Sequence, residues 1–284
     1  MSFAEFEKEV KLQNKVMGIK RVYLKDEEPK HTLGCIYRLW NRVLDEGETI
    51  VTGLGYCGCK GFESNSGLKD RSPQIPGTFG KFLTKGSDQQ WTPDGERFKC
   101  DEDTAYALWD YLPKNVMVDC KTCAASGAEC CMNADGMCLR EEAPKFDGIK
   151  FEPYKEGEEY DSVVCFCNPD QLSAVIVLHG YDKPEFDRVI ATTAAGCASM
   201  TRIPFGELNR EKPRAVITGS DLAQRKFRDE NEISIAIPGK DFEYMMSVTD
   251  ECFFHAPVWK PIRNRLRKDE NLYDACFTAL GTRE

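Results

Sequence analysis

Five cysteines stand close together in one short segment of the chain. They are Cys120, Cys123, Cys130, Cys131 and Cys138. Thiolates packed this densely repel one another and oxidise easily, so a chain in a reducing compartment usually keeps them only where a metal neutralises their charge. The segment therefore predicts a metal centre, and we interpret residues 114–145 as a cysteine-rich, metal-binding insertion.

The spacing of these five cysteines leaves the identity of the metal open. Four of the sulfurs can form a tetrahedral zinc site or hold the corners of an iron–sulfur cubane. The segment lacks both the bacterial ferredoxin signature and the second C-x2-C of most zinc ribbons. We prefer a 4Fe-4S cluster, with zinc as the alternative. A third interpretation makes Cys120 and Cys123 the redox pair of a thiol-based reductase.

Four further cysteines fall where helices begin or strands end. Cys35 lies in the first turn of a predicted helix, whose dipole favours the thiolate. Cys57 and Cys59 lie in a glycine-rich loop after a predicted strand, and Cys197 lies among small residues at a strand-to-helix turn. In open α/β sheets the ligand crevice lies beyond the carboxyl ends of the strands. We therefore expect Cys35, Cys57 or Cys59, and Cys197 to meet, although each also has a packing role as a small buried hydrophobe.

Three protein sulfurs on a four-iron cluster would leave one iron open to a substrate. Cys35 and Cys197 are accordingly candidate catalytic residues, together with Arg225. Arg225 stands four residues after Asp221, so on a helix the two side chains can pair with each other. If Arg225 points into the crevice instead, its guanidinium would bind a carboxylate or phosphate of a small ligand.

Composition limits the function classes. The 284 residues are 41% hydrophobic and 30% charged, which is typical of a soluble globular protein, and the net charge of −9 argues against nonspecific nucleic-acid binding. The N-terminus lacks the apolar core of a signal peptide, and no apolar run reaches membrane-spanning length. We expect a cytoplasmic protein, for which 14 cysteines indicate a metal-rich or anaerobic setting.

Predicted strands and helices alternate through both halves of the chain. This pattern predicts an α/β or α+β fold with a mixed sheet flanked by helices. Thr32 is the expected cap of one helix, and Asn168-Pro169-Asp170-Gln171 forms the start of another. Ser162–Cys167 predicts a buried strand, residues 233–237 predict a half-buried strand, and residues 140–159 are interpreted as a linker.

Several segments, taken in order, carry a family resemblance. They are HTLGCIYRLW, GETIVTGLGYCGCKG, GERFKCDEDTAYALWDYLP, SVVCFCNPDQLSAVI, TTAAGCASM, GSDLAQRKF and EISIAIPGKDFEYMM. In these segments the chain resembles the domain of unknown function 169 family, found mainly in anaerobic bacteria and archaea. The resemblance covers most of the chain outside the 120–138 loop and implies one family-like domain over residues 1–284.

The resemblance implies family positions at Cys35, at Cys57 or Cys59, at Cys197, and at Asp221 with Arg225. The chain departs from the family pattern in two places. Its glycine loop reads CGCKG where the family has a C-x-G-G-like loop, and the 120–138 loop is not a family feature. Since the family has no settled activity, the resemblance supports the fold and the cysteine constellation but implies no reaction.

Taken together, these observations predict an iron–sulfur protein that performs electron transfer or small-molecule redox activation. Its partner would be a small-molecule substrate or a redox protein, and whether it is an enzyme is left open, as is its oligomeric state. An alternative function, of a different class, is that of a non-enzymatic, small-ligand-binding protein with a structural zinc site.

Overall fold

The computed structural model describes residues 2–32, 35–53, 55–57, 62, 66–68, 146–192, 196–221, 225 and 227–268. The predicted metal-binding cysteines Cys120, Cys123, Cys130, Cys131 and Cys138 lie outside the described residues, as do Cys59 and the whole proposed insertion. What the structure describes is a mixed seven-stranded sheet with helices on both faces, which confirms the predicted α+β class. None of the described helices is long and apolar enough to cross a bilayer.

The elements are named here in chain order. The strands are β1 (Val16–Val22), β2 (Ile50–Gly53), β3 (Gly148–Pro153), β4 (Ser162–Cys167), β5 (Val189–Ala191), β6 (Ala215–Thr218) and β7 (Ile233–Pro238). The helices are α1 (Phe3–Val10), α2 (Ile36–Glu46), α3 (Pro169–His179), α4 (Ile203–Glu207), α5 (Gly239–Ser247) and α6 (Lys260–Leu266). A π-helical segment, Ala198–Arg202, leads directly into α4.

The strand order in the sheet is β2-β3-β1-β4-β7-β6-β5. Among these strands the β5–β6 pair is parallel and the other neighbours are antiparallel. Following the directions across the sheet, β2 runs opposite to β5 and β6. The carboxyl end of β2 therefore points in the opposite direction from the carboxyl ends of β5 and β6.

Local sequence explains where the helices begin and end. The Asn168 side chain accepts a hydrogen bond from the Gln171 backbone N–H while the Gln171 side chain accepts one from the Asn168 N–H, so the predicted capping box is confirmed. Pro169 holds the first helical position, where its missing N–H costs nothing. Gly47 ends α2 in the left-handed conformation, with φ of 69°, which suits a residue without a Cβ.

The sheet is buried on both faces. Alternate residues of β4 show this arrangement, because Val164 and Phe166 join one hydrophobic core while Val163 and Cys165 join the other. The first core, called the α2 face, lies under α2 and the segment from Ala198 to Glu207. The second core, called the α3 face, lies under α1, α3, α5 and α6.

Three sequence predictions about local structure were wrong. Thr32 does not cap α2, since its N–H donates to the Tyr56 carbonyl and the N-cap position belongs to Cys35. The expected linker 140–159 contains β3, whose Ile149 and Phe151 are fully buried. The sequence signal for β3 was the alternation of Ile149 and Phe151 with charged residues. The high charge of the whole segment obscured it.

The third error concerns β7, which was expected to be half-buried. Ile235 and Ile237 face the α3 face as the alternation predicts, but Ala236 packs on the α2 face and Ser234 is only 3% exposed. Small side chains at these positions leave room for the elements of the α2 face to pack closely. A strand that is buried on both faces can therefore show the same alternation of large apolar and small residues as a half-buried strand.

Candidate functional site

Cys35 stands at the start of α2, as the sequence predicted. It takes the N-cap position with extended backbone angles, φ −74° and ψ 139°, and its carbonyl accepts a hydrogen bond from the Arg38 N–H at 3.0 Å. The sulfur is partly exposed and packs against the core of the α2 face. A thiol here lies at the positive end of an 11-residue helix, which favours its ionised form.

Cys197 also stands at the start of a helical segment, and on the same face of the sheet. It is 4% exposed and belongs to the core of the α2 face. The π-helical segment follows it directly, and Pro204 explains the irregularity because its ring nitrogen has no N–H for the Met200 carbonyl. Segments with π-helical bonding occur frequently at functional sites, since they displace side chains from their ordinary helical positions.

Asp221 lies beside Cys197. It follows β6, it is 4% exposed, and one of its carboxylate oxygens accepts a hydrogen bond from the Gly196 N–H at 3.2 Å. The negative charge is thus buried at the beginning of the segment that carries Cys197. A buried carboxylate is costly unless it is hydrogen-bonded, and the Gly196 amide supplies part of that compensation.

The Tyr37 phenol connects these groups. Its ring is 1% exposed and packs against Trp40, with ring centroids 4.6 Å apart. Burial raises the pKa of Tyr37 far above its usual value, and the negative charges of Asp221, Cys197 and Cys35 raise it further. These three groups therefore lie close enough to the phenol to act on it electrostatically.

A positive charge also lies near the Tyr37 phenol. The Arg228 guanidinium acts on the Tyr37 pKa in the opposite direction, lowering it. Arg228 is fixed by three contacts: it lies over the Phe166 ring at 4.5 Å, donates to Asn41 Oδ1 at 2.6 Å, and pairs with the buried Glu232. The site thus combines two thiols, a carboxylate and a neutral phenol, with one cation held at its border.

Cys57 is buried on the α2 face, but the arrangement that was predicted to bring it there is absent from the described strands. The expected crevice at the carboxyl ends of the strands applies to parallel sheets, and here β2 runs opposite to β5. Cys57 forms a backbone bridge with Thr32, three residues before Cys35, and it is buried in the core of the α2 face. Cys35, Cys57 and Cys197 thus all pack on the α2 face of the sheet.

The guanidinium of Arg225 is bound to backbone carbonyls. It donates to the Asp229 carbonyl at 3.0 Å, to the Glu230 carbonyl at 2.9 Å, and to the Glu232 carbonyl. The Arg225 N–H donates to the Asp221 carbonyl at 3.1 Å, so the two residues share one helical turn while their side chains take separate partners. In this arrangement Arg225 shapes the turn before β7, and its predicted catalytic role stays a prediction.

The described part of the chain contains no group of three or more His, Cys, Asp or Glu side chains arranged to hold a metal ion. The predicted ligand set of Cys35, Cys57 and Cys197 is gathered on one face of the sheet but does not form such a group by itself. A metal or cluster held here needs a further ligand, and Cys59 stands two residues from Cys57 in the sequence. The cofactor therefore stays a prediction.

A second buried polar cluster lies on the α3 face, away from these cysteines. One oxygen of Asp241 contacts His179 Nε2 at 2.9 Å, Lys183 Nζ at 3.1 Å and Arg188 Nη2 at 3.1 Å. Burial lowers the pKa of His179, and the charges of Lys183 and Arg188 lower it further against the opposing effect of Asp241. This histidine joins α3 to α5 and serves the core.

The lowered pKa of His179 predicts a loss of stability in acid. Because the unfolded chain binds a proton near pH 6.5 more readily than the folded one, unfolding becomes easier as the pH falls below about 6.5. In His179→Gln, whose amide can still donate to Asp241, this part of the pH dependence should disappear. Urea unfolding midpoints between about pH 8 and about pH 5 measure it. His255→Gln, at an exposed position, should keep the wild-type slope.

Sequence reasoning missed the Tyr37 hydroxyl. By its spacing Tyr37 belongs to the buried stripe of α2, and its ring is buried there with Ile36, Trp40 and Leu44. Two signals were available: a tyrosine where a phenylalanine would fill the same space, and its place two residues after Cys35 in the same helical turn. A polar atom on a core position beside a candidate ligand indicates a site.

No curated protein matches the chain, and no solved structure matches it either. One family model, described as uncharacterised ArCR, matches residues 5–248, a stretch that includes Cys35, Cys57, Cys197 and Asp221. The chain therefore belongs to the domain of unknown function 169 family.

Proposed function

We propose that this chain is an iron–sulfur protein that performs electron transfer or small-molecule redox activation beside Cys35 and Cys197. Cys35, Cys57 or Cys59, and Cys197 would hold a substrate-facing cluster. The five cysteines between Cys120 and Cys138 would hold a second one.

One observation supports the proposal above the others. Cys35 and Cys197, which start two helical segments far apart in sequence, both pack in the core of the α2 face, the core that also holds the buried Tyr37. Helix starts favour thiolate, and thiolate is the form that binds metal. A packing role alone would leave the burial of the Asp221 carboxylate against Gly196, next to Cys197, unexplained.

The donor set also indicates the kind of metal. The groups that act on Tyr37 include two soft sulfur donors and no imidazole, which suits iron–sulfur clusters or zinc better than hard cations. A cluster ligated by three protein sulfurs would keep one iron open, which is the condition for binding a substrate or an external ligand. Buried aromatic and aliphatic neighbours, such as Trp40 and Ile36, would limit the access of water.

A reducing compartment fits the same proposal. The six described cysteines are present as thiols, on both faces of the sheet. We propose a cytoplasmic location, because a reducing compartment would keep a partly exposed thiol such as that of Cys35 available for a metal.

Purification without oxygen tests the proposed function. We expect a brown protein with broad absorbance near roughly 400 nm, and iron and acid-labile sulfide in equal amounts. Colourless protein with stoichiometric zinc would support the structural zinc alternative instead. Metal-free protein in which Cys120 and Cys123 exchange electrons with dithiols would indicate the thiol reductase.

A further inference from the structure

A cleft of about 320 Å³ opens at one end of the sheet, beside the C-terminal half of α2. Residues from three segments line it: 13–15 before β1, 41–45 on α2, and 227–232 before β7. Its volume lies at the lower end of the range that is usual for small-molecule sites. The three segments are far apart in sequence, so the fold itself brings their side chains together here.

The inner wall of this cleft, formed by Lys15, Arg228 and Glu232, carries an excess of positive charge. The Glu232 side chain is 4% exposed and contacts both Lys15 Nζ, at 2.5 Å, and the Arg228 guanidinium. Two cations and one carboxylate leave one positive charge uncompensated. The wall therefore favours an anionic group of a ligand.

Lys15 is the member of this wall that can receive such a group. The Arg228 guanidinium is fixed, because it lies 4.5 Å over the Phe166 ring and donates to Asn41 Oδ1 at 2.6 Å. The Lys15 side chain is 42% exposed, and an ammonium group has three N–H donors. Lys15 thus retains donors for a carboxylate that enters the cleft.

The rim of the cleft has the opposite charge. Asp45 on α2 and Asp229 in the turn before β7 both line the cleft and are exposed. Leu44 and Phe227 add apolar surface to the lining, and Asn41 adds a side-chain amide. A ligand that carries a carboxylate, an ammonium group and an apolar part is complementary to this lining.

We propose that this cleft binds a small zwitterion of the amino-acid class. The carboxylate of the ligand accepts hydrogen bonds from Lys15, and its ammonium group lies between Asp45 and Asp229. A structural role explains the ion pair of Arg228 and Glu232, but not the open volume beside it. No metal takes part in this binding, which therefore goes beyond the proposed iron–sulfur function.

Calorimetric titration of the anaerobically purified full chain with each of the twenty L-amino acids tests the binding. We expect at least one of them to bind with a Kd of about 1 mM or tighter. The amide of that amino acid lacks the carboxylate, and its N-acetyl derivative lacks the ammonium group. Each should bind about 10-fold more weakly, because each loses one charged contact. A wild-type chain that binds none of the twenty, or binds either derivative as tightly as the parent, would overturn the inference.

Two variants of the cleft test its location. Lys15→Met and Asp45→Asn should each weaken the binding about 10-fold. Glu232 keeps Arg228 as its partner in Lys15→Met, and Asp45 is exposed, so both variants should fold. If either variant bound the amino acid as tightly as the wild type, the assignment of its two charged groups to this cleft would be wrong.

Lys30→Met and Asp26→Asn are the matched controls, since both residues are exposed and lie outside the cleft. They remove the same charges from the chain and should bind the amino acid as the wild type does. An equal loss of affinity in these controls would show that net charge, and not the cleft, determines the binding. A chain that contains iron but binds no amino acid overturns this inference alone, and one that binds an amino acid but no iron overturns only the proposed function.

Discussion

Under the proposed function, replacing Cys197 by alanine should remove the iron of the proposed substrate-facing cluster and leave that of the proposed second cluster in place. The physical reason is the loss of a thiolate ligand from a set with no spare sulfur at that position. Anaerobically prepared Cys197→Ala should therefore contain about four iron atoms fewer per chain than the wild type, and Cys35→Ala should behave alike. Iron and sulfide analysis of folded protein, with circular dichroism as the check on folding, measures the effect.

Cys165→Ala is the control for this experiment. Cys165 is fully buried on the α3 face, and burial raises the pKa of its thiol, so it is a poor ligand. This variant should keep all of its iron. Equal iron loss in Cys165→Ala, or full retention in Cys197→Ala, would contradict the assignment of ligands.

Gly239→Ala should destabilise the fold by about 3 kcal/mol, near the upper end of the usual range for overpacking. Gly239 begins α5 directly after β7, and a Cβ there would lie 1.9 Å from the Tyr160 carbonyl oxygen. The obstacle is backbone, held by the Gly239 N–H donating to the Asp161 carbonyl at 3.1 Å, so it cannot move aside as a flexible side chain would. Urea unfolding of the full chain gives the change in free energy.

Gly180→Ala provides the comparison for Gly239→Ala. Gly180 ends α3 with φ of −80°, and an added Cβ would meet the Ile176 and Val177 carbonyl oxygens at 3.6 Å, an ordinary contact. We expect its free energy of unfolding to stay within about 1 kcal/mol of the wild type. If the two variants proved equally stable, the close approach of Tyr160 to Gly239 would not constrain the fold.

Much of the fold follows from the sequence, because local signals agreed with the global arrangement. The capping box at Asn168 and Gln171 fixed the start of α3, and the continuous apolar run of β4 marked a strand buried on both faces. The order of the strands in the sheet could not be predicted from these local signals. β3 pairs with β1 more than a hundred residues away, and only tertiary contacts select that neighbour.

The candidate site was predictable in its residues but not in its geometry. Helix starts with cysteine are visible in sequence, so Cys35 and Cys197 were found. That both pack on one face of the sheet depends on which face α2 and the Ala198–Glu207 segment cover, and periodicity does not reveal that choice. The rule that ligands bind beyond the carboxyl ends of strands suggested these residues, but the direction of β2, opposite to β5 and β6, removes its basis here.

The position of β3 between β1 and β2 has a consequence for biosynthesis. When the ribosome has made only the first third of the chain, β1 and β2 exist but the strand that joins them does not, so neither has its final neighbours. Cys35 and Cys57 are synthesised early. They stay uncovered until residues from the second half of the chain have been made. The complete surroundings of these sulfurs therefore form only after β3 has been made, and until then the two thiols depend on the surrounding redox buffer for protection from oxidants.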